Sequence, residues 1–301
     1  MGRAGRPAPG KPAPSAGNSG RFCRPYRVYF QPGILAAMTL RVLVTNDDGI
    51  YAPGLWALAQ ELVREFRVYV VAPDREQSAI GAAISLNHPI RVNRLPAIMS
   101  GDMEAYSVEG TPGDCVIMAI NSLFKDGIDC VVSGLNEGSN LGNDVLISGT
   151  VGAALHGYFL GRPAFALSIN SLRPENVEPG ARLARLLVRL VAQGQLPEKI
   201  LLNINLPDLP LGEIRGIEVT HLARRSYTDI IEEHVDRKGR SLYWITRGKP
   251  VWEEEAGSDI WAIRQSKVSI TPLEADVASR EHIDLLRRLA PDLFSGLLNL
   301  D

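Results

Sequence analysis

Short apolar, β-branched runs alternate along this chain with segments of helical period, and that alternation limits the fold more than any other feature. The first run, Leu40-Arg41-Val42-Leu43-Val44-Thr45, is followed by Pro53 as a first helical residue. Leu55, Leu58, Ala59, Leu62 and Phe66 then recur at helical spacing. Residues 68–72, 130–132, 164–169 and 200–205 read as further buried strands. Residues 114–124, begun by Thr111-Pro112, and residues 151–160 and 181–191 read as helices. Strands alternating with helices imply an α/β fold, a mostly parallel sheet with helices on both faces, over residues 38–213. A β-rich excursion is expected over 84–92 and 105–108. After residue 214 the stretches 216–220, 242–246, 260–263 and 268–271 read as strands without intervening helices. A last helix over 280–289 closes this β-rich C-terminal segment, residues 214–301.

Residues 1–37 lie outside the pattern. They hold six Gly and six Pro and lack a hydrophobic period, which predicts a disordered extension. Met38 stands directly before the first strand, so the extension is read as inert or as preceding the true start. Its basic, acid-free character also suits a targeting segment, against which the Pro and Gly content argues. Six of the 32 Lys and Arg fall in these residues with no acid, leaving 26 against 34 Asp and Glu in the remainder. An acidic body supplies no phosphate-neutralising surface, so a nucleic acid polymer is not an expected partner. No run approaches the ~20 apolar residues of a membrane span. The three cysteines (Cys23, Cys115, Cys130) form no CxxC and fit a reducing compartment, so a cytoplasmic location is expected.

In an open parallel sheet, ligands bind beyond the carboxyl ends of the strands. Three such ends are unusually polar. The first strand runs into Asn46-Asp47-Asp48-Gly49, where adjacent carboxylates repel unless a cation or hydrogen-bond donors neutralise them. A helix-capping acidic turn is the alternative. The second end carries residues 73–79, Pro-Asp-Arg-Glu-Gln-Ser-Ala, which a salt-bridged loop would also explain. The third, residues 133–144, is rich in Gly and Asn and leads to Ser148-Gly149-Thr150 at a helix start, where unpaired N–H groups favour a phosphate. Thr150 as an ordinary N-cap is compatible with that role. Together these ends bring Asp47, Asp48, Ser78 and Asn136 towards one crevice. Such an all-oxygen set suits Mg²⁺, Mn²⁺ or Ca²⁺ better than Zn²⁺. A divalent ion beside an anion nest is the apparatus of phosphoryl transfer or hydrolysis.

Several alternatives fail. The chain has no GxSxG elbow, no P-loop, no HExxH and no GxGxxG after the first strand, which leaves a Rossmann-type oxidoreductase without its glycine fingerprint. The five histidines show no ligand spacing, and His156, one turn into the helix after the anion nest, is the one exception to watch. Trp244, Trp252 and Trp261 read as core or interface positions.

At these residues the sequence resembles the SurE family of survival-protein nucleotidases. The matching stretches are 43–50, 70–75 with Ser78, 110–116, and 132–134 with Asn136. They continue with Gly138, Asn140, Gly142, Asp144 and residues 148–151, then 202–205 with Pro207, residues 243–244 and 268–272. The resemblance covers Met38 to the last helix. It implies a metal-dependent phosphomonoesterase acting on nucleoside 5′- and 3′-monophosphates, with short polyphosphate as a further substrate. By motif position, Asp47, Asp48, Ser78 and Asn136 correspond to the ligands of one divalent cation per subunit, Mg²⁺ or Mn²⁺. Asp47 and Asp48 are the expected catalytic carboxylates. Asn46, Asn140, Ser148, Gly149 and Thr150 correspond to the substrate and phosphate side. Two routes stay open, attack by water assisted by an Asp carboxylate and a phosphoaspartyl intermediate on Asp47. The implied fold is Rossmann-like, with a C-terminal hairpin and helix exchanged between subunits of a homodimer or homotetramer. The sequence departs from the family pattern at Ala82, where many relatives have His after Gly, and at Ile147, where many have an aromatic residue or His. A non-catalytic nucleotide or metal sensor on the same scaffold would be marked by loss of a metal ligand, and all four are present.

Overall fold

The structure, a computed structural model, describes residues 1–2, 40–96, 103–226, 229–247, 251–252 and 255–298. The chain divides into two units, Met1–Met38 and Thr39–Asp301, and the account below concerns the second. The expected disordered extension falls almost wholly outside the described residues, as does Cys23.

The elements are β1 (Arg41–Thr45), α1 (Pro53–Leu62), β2 (Arg67–Pro73), β3 (Val92–Arg94), β4 (Met103–Val108), α2 (Pro112–Met118), β5 (Cys130–Glu137), α3 (Gly149–Phe159), β6 (Ala164–Ile169) and α4 (Glu178–Ala192). There follow β7 (Leu201–Leu206), β8 (Ile217–Val219), β9 (Arg225–Ser226), β10 (Asp229–Val235), β11 (Ser241–Arg247), β12 (Val251–Trp252), α5 (Asp259–Arg264), β13 (Val268–Pro272) and α6 (Arg280–Leu298). A nine-stranded sheet runs in the order β3-β4-β2-β1-β5-β6-β7-β13-β8. The strands from β4 to β7 in that order are all parallel, and β3 and β13 pair antiparallel with β4 and β7. The chain moves outward from β1 through β2 to β4, then returns to the other side of β1 as β5. The switch in direction therefore falls between β1 and β5, where such sheets open a crevice.

The central strands are buried on both faces, which is why they read as apolar runs without alternation. Val42, Val44, Val68 and Val70 turn to one face and pack with Leu55 and Leu58 of α1 and Ala184 and Val188 of α4. Leu43, Tyr69 and Val71 turn to the other, against Cys115 and Val116 of α2 and Ala153 and Ala154 of α3. Cys115 and Cys130 are free and buried.

Three expectations need correction. Residues 84–91 form no strand. Their neighbourhood bonds to side chains instead, Ser85 N–H and hydroxyl to Asp114 (2.9 and 2.7 Å) and Ala83 C=O to the Thr111 hydroxyl (2.7 Å). The helix over 114–124 is α2 followed by a wider π turn, Ala119–Leu123, which delivers Phe124 onto Tyr69 with ring centroids 3.9 Å apart. Residues 260–263 are helical. Ser258 caps α5 by accepting from Trp261 N–H, Asp259 sits in its first turn and Arg264 in its last, and these end signals outweigh the β-preference of Ile and Trp. The last helix, α6, extends to Leu298.

The chain after residue 213 contributes to the main sheet as well as forming an arm, because β13 pairs with β7 and β8 pairs with β13. The arm is the hairpin β10–β11, in register from Asp229 opposite Arg247 to Val235 opposite Ser241. Asp236 holds its turn by accepting from Lys238 and Arg240 N–H (2.8 and 2.9 Å). Trp244 is exposed on it, and the Trp252 side chain lies outside the described residues.

Candidate active site

Beyond β1 the chain turns sharply. The Asn46 amide closes the turn, accepting from Gly49 N–H (3.2 Å) and donating to Gly49 C=O (3.1 Å). Gly49 has φ +99°, and a Cβ there would stand 3.1 Å from the Arg75 carbonyl carbon, so this position requires glycine. Asn46 is fully buried, with both ends of its amide committed to the turn. It therefore shapes the support of Asp47, and it is not among the residues that line the cleft.

Asp47 is 4% exposed and accepts a hydrogen bond from the Thr150 hydroxyl. Burial raises its pKa, partly countered by that bond. Asp48 is half-buried, and its Oδ2 has no hydrogen-bond partner. Desolvation, then the charges of Asp47 and Glu137, push its pKa up to about 7. Two adjacent carboxylates so placed are a standing demand for positive charge.

The remaining groups arrive from β2 and β5. Gln77 N–H donates to Asp47 C=O (2.7 Å), which holds the loop carrying Ser78 against β1. Ser78 is exposed and its hydroxyl donates to Glu76 (2.6 Å). At the end of β5, Asn136 donates from Nδ2 to the carbonyls of Gly138 (2.6 Å) and Glu137 (3.4 Å), which leaves its Oδ1 directed elsewhere. Asp47, Ser78, Asn136, Asn140 and Ser148 line one cleft of about 530 Å³, and no Lys, Arg or His is among its described lining residues. Asn170, Ser171 and Leu172 form the wall after β6.

Ser148, not Thr150, is the N-cap of α3, its hydroxyl accepting from Val151 N–H (3.2 Å). Thr150 is thereby free to reach Asp47. A Cβ on Gly149 would stand 2.7 Å from the Asp47 Cβ, so only glycine lets the first turn of α3 approach the carboxylate pair this closely. Asn140 is clamped from behind. Its N–H donates to Asn205 Oδ1 (2.8 Å), its C=O accepts from Asn203 and Asn205 (2.8 and 3.0 Å), and its own amide donates to Ser168 (2.8 Å).

The donor set fits a hard divalent cation. The Asp47 carboxylate and neutral oxygens from Ser78 and Asn136 stand on the cleft wall, and next to Asp47 is the unpartnered Oδ2 of Asp48, which, like Gly149 and Thr150, is not among the lining residues. Among the described residues no three His, Cys, Asp or Glu side chains converge as a metal site, so the set depends on these neutral oxygens. His156 lies off the cleft, its Nε2 3.0 Å from Ala82 C=O.

Comparison with known proteins bears directly on this arrangement. Residues 42–229 match the family model of the survival protein SurE. The 5′-nucleotidase SurE of Alkalilimnicola ehrlichii is 44% identical over 247 residues, 81% of this chain and 93% of the relative. That of Legionella pneumophila (strain Lens) is 43% identical over 256 residues, 84% and 98% of the two chains. The chain belongs to the SurE family. The crystal structure of the SurE protein from Aquifex aeolicus superposes with a TM-score of 0.70 at 35% identity, covering 83% of this chain and 99% of that one. Of the two departures from the SurE pattern, Ala82 follows Gly81, whose N–H donates to the carbonyl of the other, Ile147 (2.8 Å). The two therefore sit together where the Ser78 loop meets the approach to α3.

Four residues inside stretches the sequence reading had singled out carry roles it did not assign. Glu76 and Glu137 stand near the carboxylate pair, and Asn203 and Asn205 hold Asn140. Polar Asn residues alternating along an otherwise apolar, buried strand were the available signal for the latter.

Proposed function

We propose that this protein is a metal-dependent nucleotidase. It hydrolyses nucleoside 5′-monophosphates, with 3′-monophosphates and short polyphosphate as further substrates. One Mg²⁺ or Mn²⁺ per subunit is held by Asp47, Asp48, Ser78 and Asn136. The observation that carries this reading is the unpartnered, buried Asp48 Oδ2 next to Asp47, at the switch point of the sheet, where Asp47 lines a cleft with no cationic side chain among its described lining residues. The names of the nucleotidase relatives support the substrate class.

When bound, the cation supplies the positive charge that phosphate oxygens require and the cleft's own side chains lack. The chain's residues do the rest. Ser148, Gly149 and Thr150 bring the first turn of α3 to the phosphate side, and Asn140 adds a fixed polar wall. Thr150 fixes Asp47 by its hydroxyl, and a carboxylate of the pair assists an attacking water by taking its proton. On this reading residues 1–37 are an extension, 38–213 carry the site and 214–301 serve oligomerisation. The arm and α6 pack against a second copy in a cytoplasmic homodimer or homotetramer.

Phosphate release from a panel of nucleoside monophosphates, with Mn²⁺, with Mg²⁺ and with EDTA, tests the reading. Release that needs the metal and falls roughly a thousandfold or more in Asp47→Ala is expected. Equal release in EDTA, or undiminished activity in a folded Asp47→Ala protein, would make the carboxylate pair structural.

A further inference from the structure

Residues 138–148, which on the nucleotidase reading lead to the phosphate side of the cleft, have no strand of their own and only one 3₁₀ turn, Gly142–Leu146. Their backbone is held from outside at two consecutive points. Asn203 and Asn205 grip Asn140, as described. The next two residues are held by the C-terminal segment. Leu141 packs with Ala223, Ile260 and Ile263 in a small core separate from the two large ones. Gly142 N–H donates to Asp259 Oδ2 (2.7 Å), across 117 residues of sequence.

Asp259 has no exposed surface. Its other oxygen, Oδ1, accepts from Ala223 N–H (3.0 Å) and Ile260 N–H (2.8 Å). Ala223 and Asp259 stand at the two ends of the excursion that carries the hairpin β10–β11. There the backbone closes, Asp259 N–H donating to His221 C=O (2.9 Å) and His221 N–H to Gly257 C=O (3.2 Å). One carboxylate thus shuts the root of the arm and holds the first residue of the turn leading to Ser148. From that turn Asp144 C=O accepts from Ser148 N–H (3.0 Å), and Ser148 caps α3.

A buried carboxylate is an expensive way to fill space. An apolar side chain here could pack with Leu141, but it could not order the N–H groups of Gly142 and Ala223 together. We infer that Asp259 is a positioning residue: it fixes Gly142 so that Ser148, Gly149 and Thr150 present the start of α3 to phosphate, and it ties that geometry to the root of the C-terminal arm. The inference rests on the nucleotidase reading for what the cleft binds.

Asp259→Asn probes the link selectively. The amide keeps the volume, and its single oxygen can still accept from Ala223 and Ile260. Its NH₂ then faces Gly142 N–H, donor against donor. The comparison variant is Ile263→Ala, which loosens the same small core without touching the hydrogen bond. The probe is inorganic phosphate, its affinity measured by titration calorimetry in saturating Mn²⁺, with Mn²⁺ affinity and the thermal melt measured alongside. Phosphate affinity in Asp259→Asn falls about tenfold, close to 1.4 kcal/mol. Mn²⁺ affinity stays within about threefold, and Ile263→Ala lowers Tm with little change in phosphate affinity. Unchanged phosphate affinity in folded Asp259→Asn, or an equal fall in Ile263→Ala, overturns the inference. Absence of phosphate release from every monophosphate by the unsubstituted protein would sink the nucleotidase reading alone, since phosphate binding is measured directly. If Asp259→Asn does not fold, amide hydrogen exchange in the unsubstituted protein decides. Gly142 exchanging as slowly as Ala223 and Ile260, all three slowed by phosphate, supports the clamp, and fast, independent exchange at Gly142 refutes it.

Discussion

The α/β body and the C-terminal arm use similar side chains to opposite ends. In β5 and β6 the apolar residues are buried to within 1% of full exclusion, from Cys130 to Leu135 and from Ala164 to Ile169. In the hairpin, Ile231, Leu242, Trp244 and Ile245 are all at least half exposed, and α6 has no buried residue although Leu286, Leu289, Leu293, Phe294 and Leu297 recur along it. The central strands of the body complete their hydrophobic burial within one chain. The arm and α6 do not, and that exposed apolar surface is the observation behind the proposed packing against a second copy.

Substitutions should therefore separate into two kinds. The largest effect on stability is expected in the body. Phe165→Ala in β6 removes a fully buried ring from the core on the α1 and α4 face of the sheet and should destabilise by about 3–5 kcal/mol in a denaturant titration. A loss below about 1 kcal/mol would break the contrast.

The second effect concerns the carboxylate pair at the end of β1. Asp48 has its pKa raised in the folded chain from 3.8 to about 7. Between those values the unfolded chain releases a proton that the folded chain retains, so stability falls as pH rises from about 4 to 7 and levels off above. In metal-free protein the fall is up to about 4 kcal/mol. Saturating Mn²⁺ at pH 7.5 should restore Tm, and an apoprotein whose stability rises over this window would contradict the assignment.

The smallest effect belongs to α6. Leu293→Ser should change the melting of the α/β body by no more than about 0.5 kcal/mol while lowering the assembly mass in sedimentation or light scattering. A substantial loss of stability with unchanged mass would mean that α6 packs on its own chain.

The two regions also differed in legibility. The parallel body was readable because its strands are buried on both faces, so each shows as an unbroken apolar run, and because carboxylates at a strand end such as Asp47 and Asp48 have few structural uses. That Asp47, Ser78 and Asn136 meet at one cleft was legible because each stands just beyond the carboxyl end of a parallel strand. The segment 260–263 was misread because Ile-Trp-Ala-Ile favours a strand locally, while the deciding signal lay in Ser258 and Asp259 just before it. Asp259 as a clamp was invisible, since the N–H groups it orders belong to residues 142 and 223. The capping of α3 could not be divided between Ser148 and Thr150 until the position of Asp47 was known.

The order of strands has a consequence for how the chain is made. β7 pairs on its outer side with β13, not with β8, the next strand to be synthesised. On a ribosome, β7 therefore keeps an unpaired row of N–H and C=O groups throughout the emergence of β8, the entire arm and α5. During that interval it is an open sheet edge, the feature that recruits foreign strands. A chain stalled or truncated within the arm would carry a nearly complete α/β body with that edge exposed, and aggregation through β7 is the hazard its late strand removes.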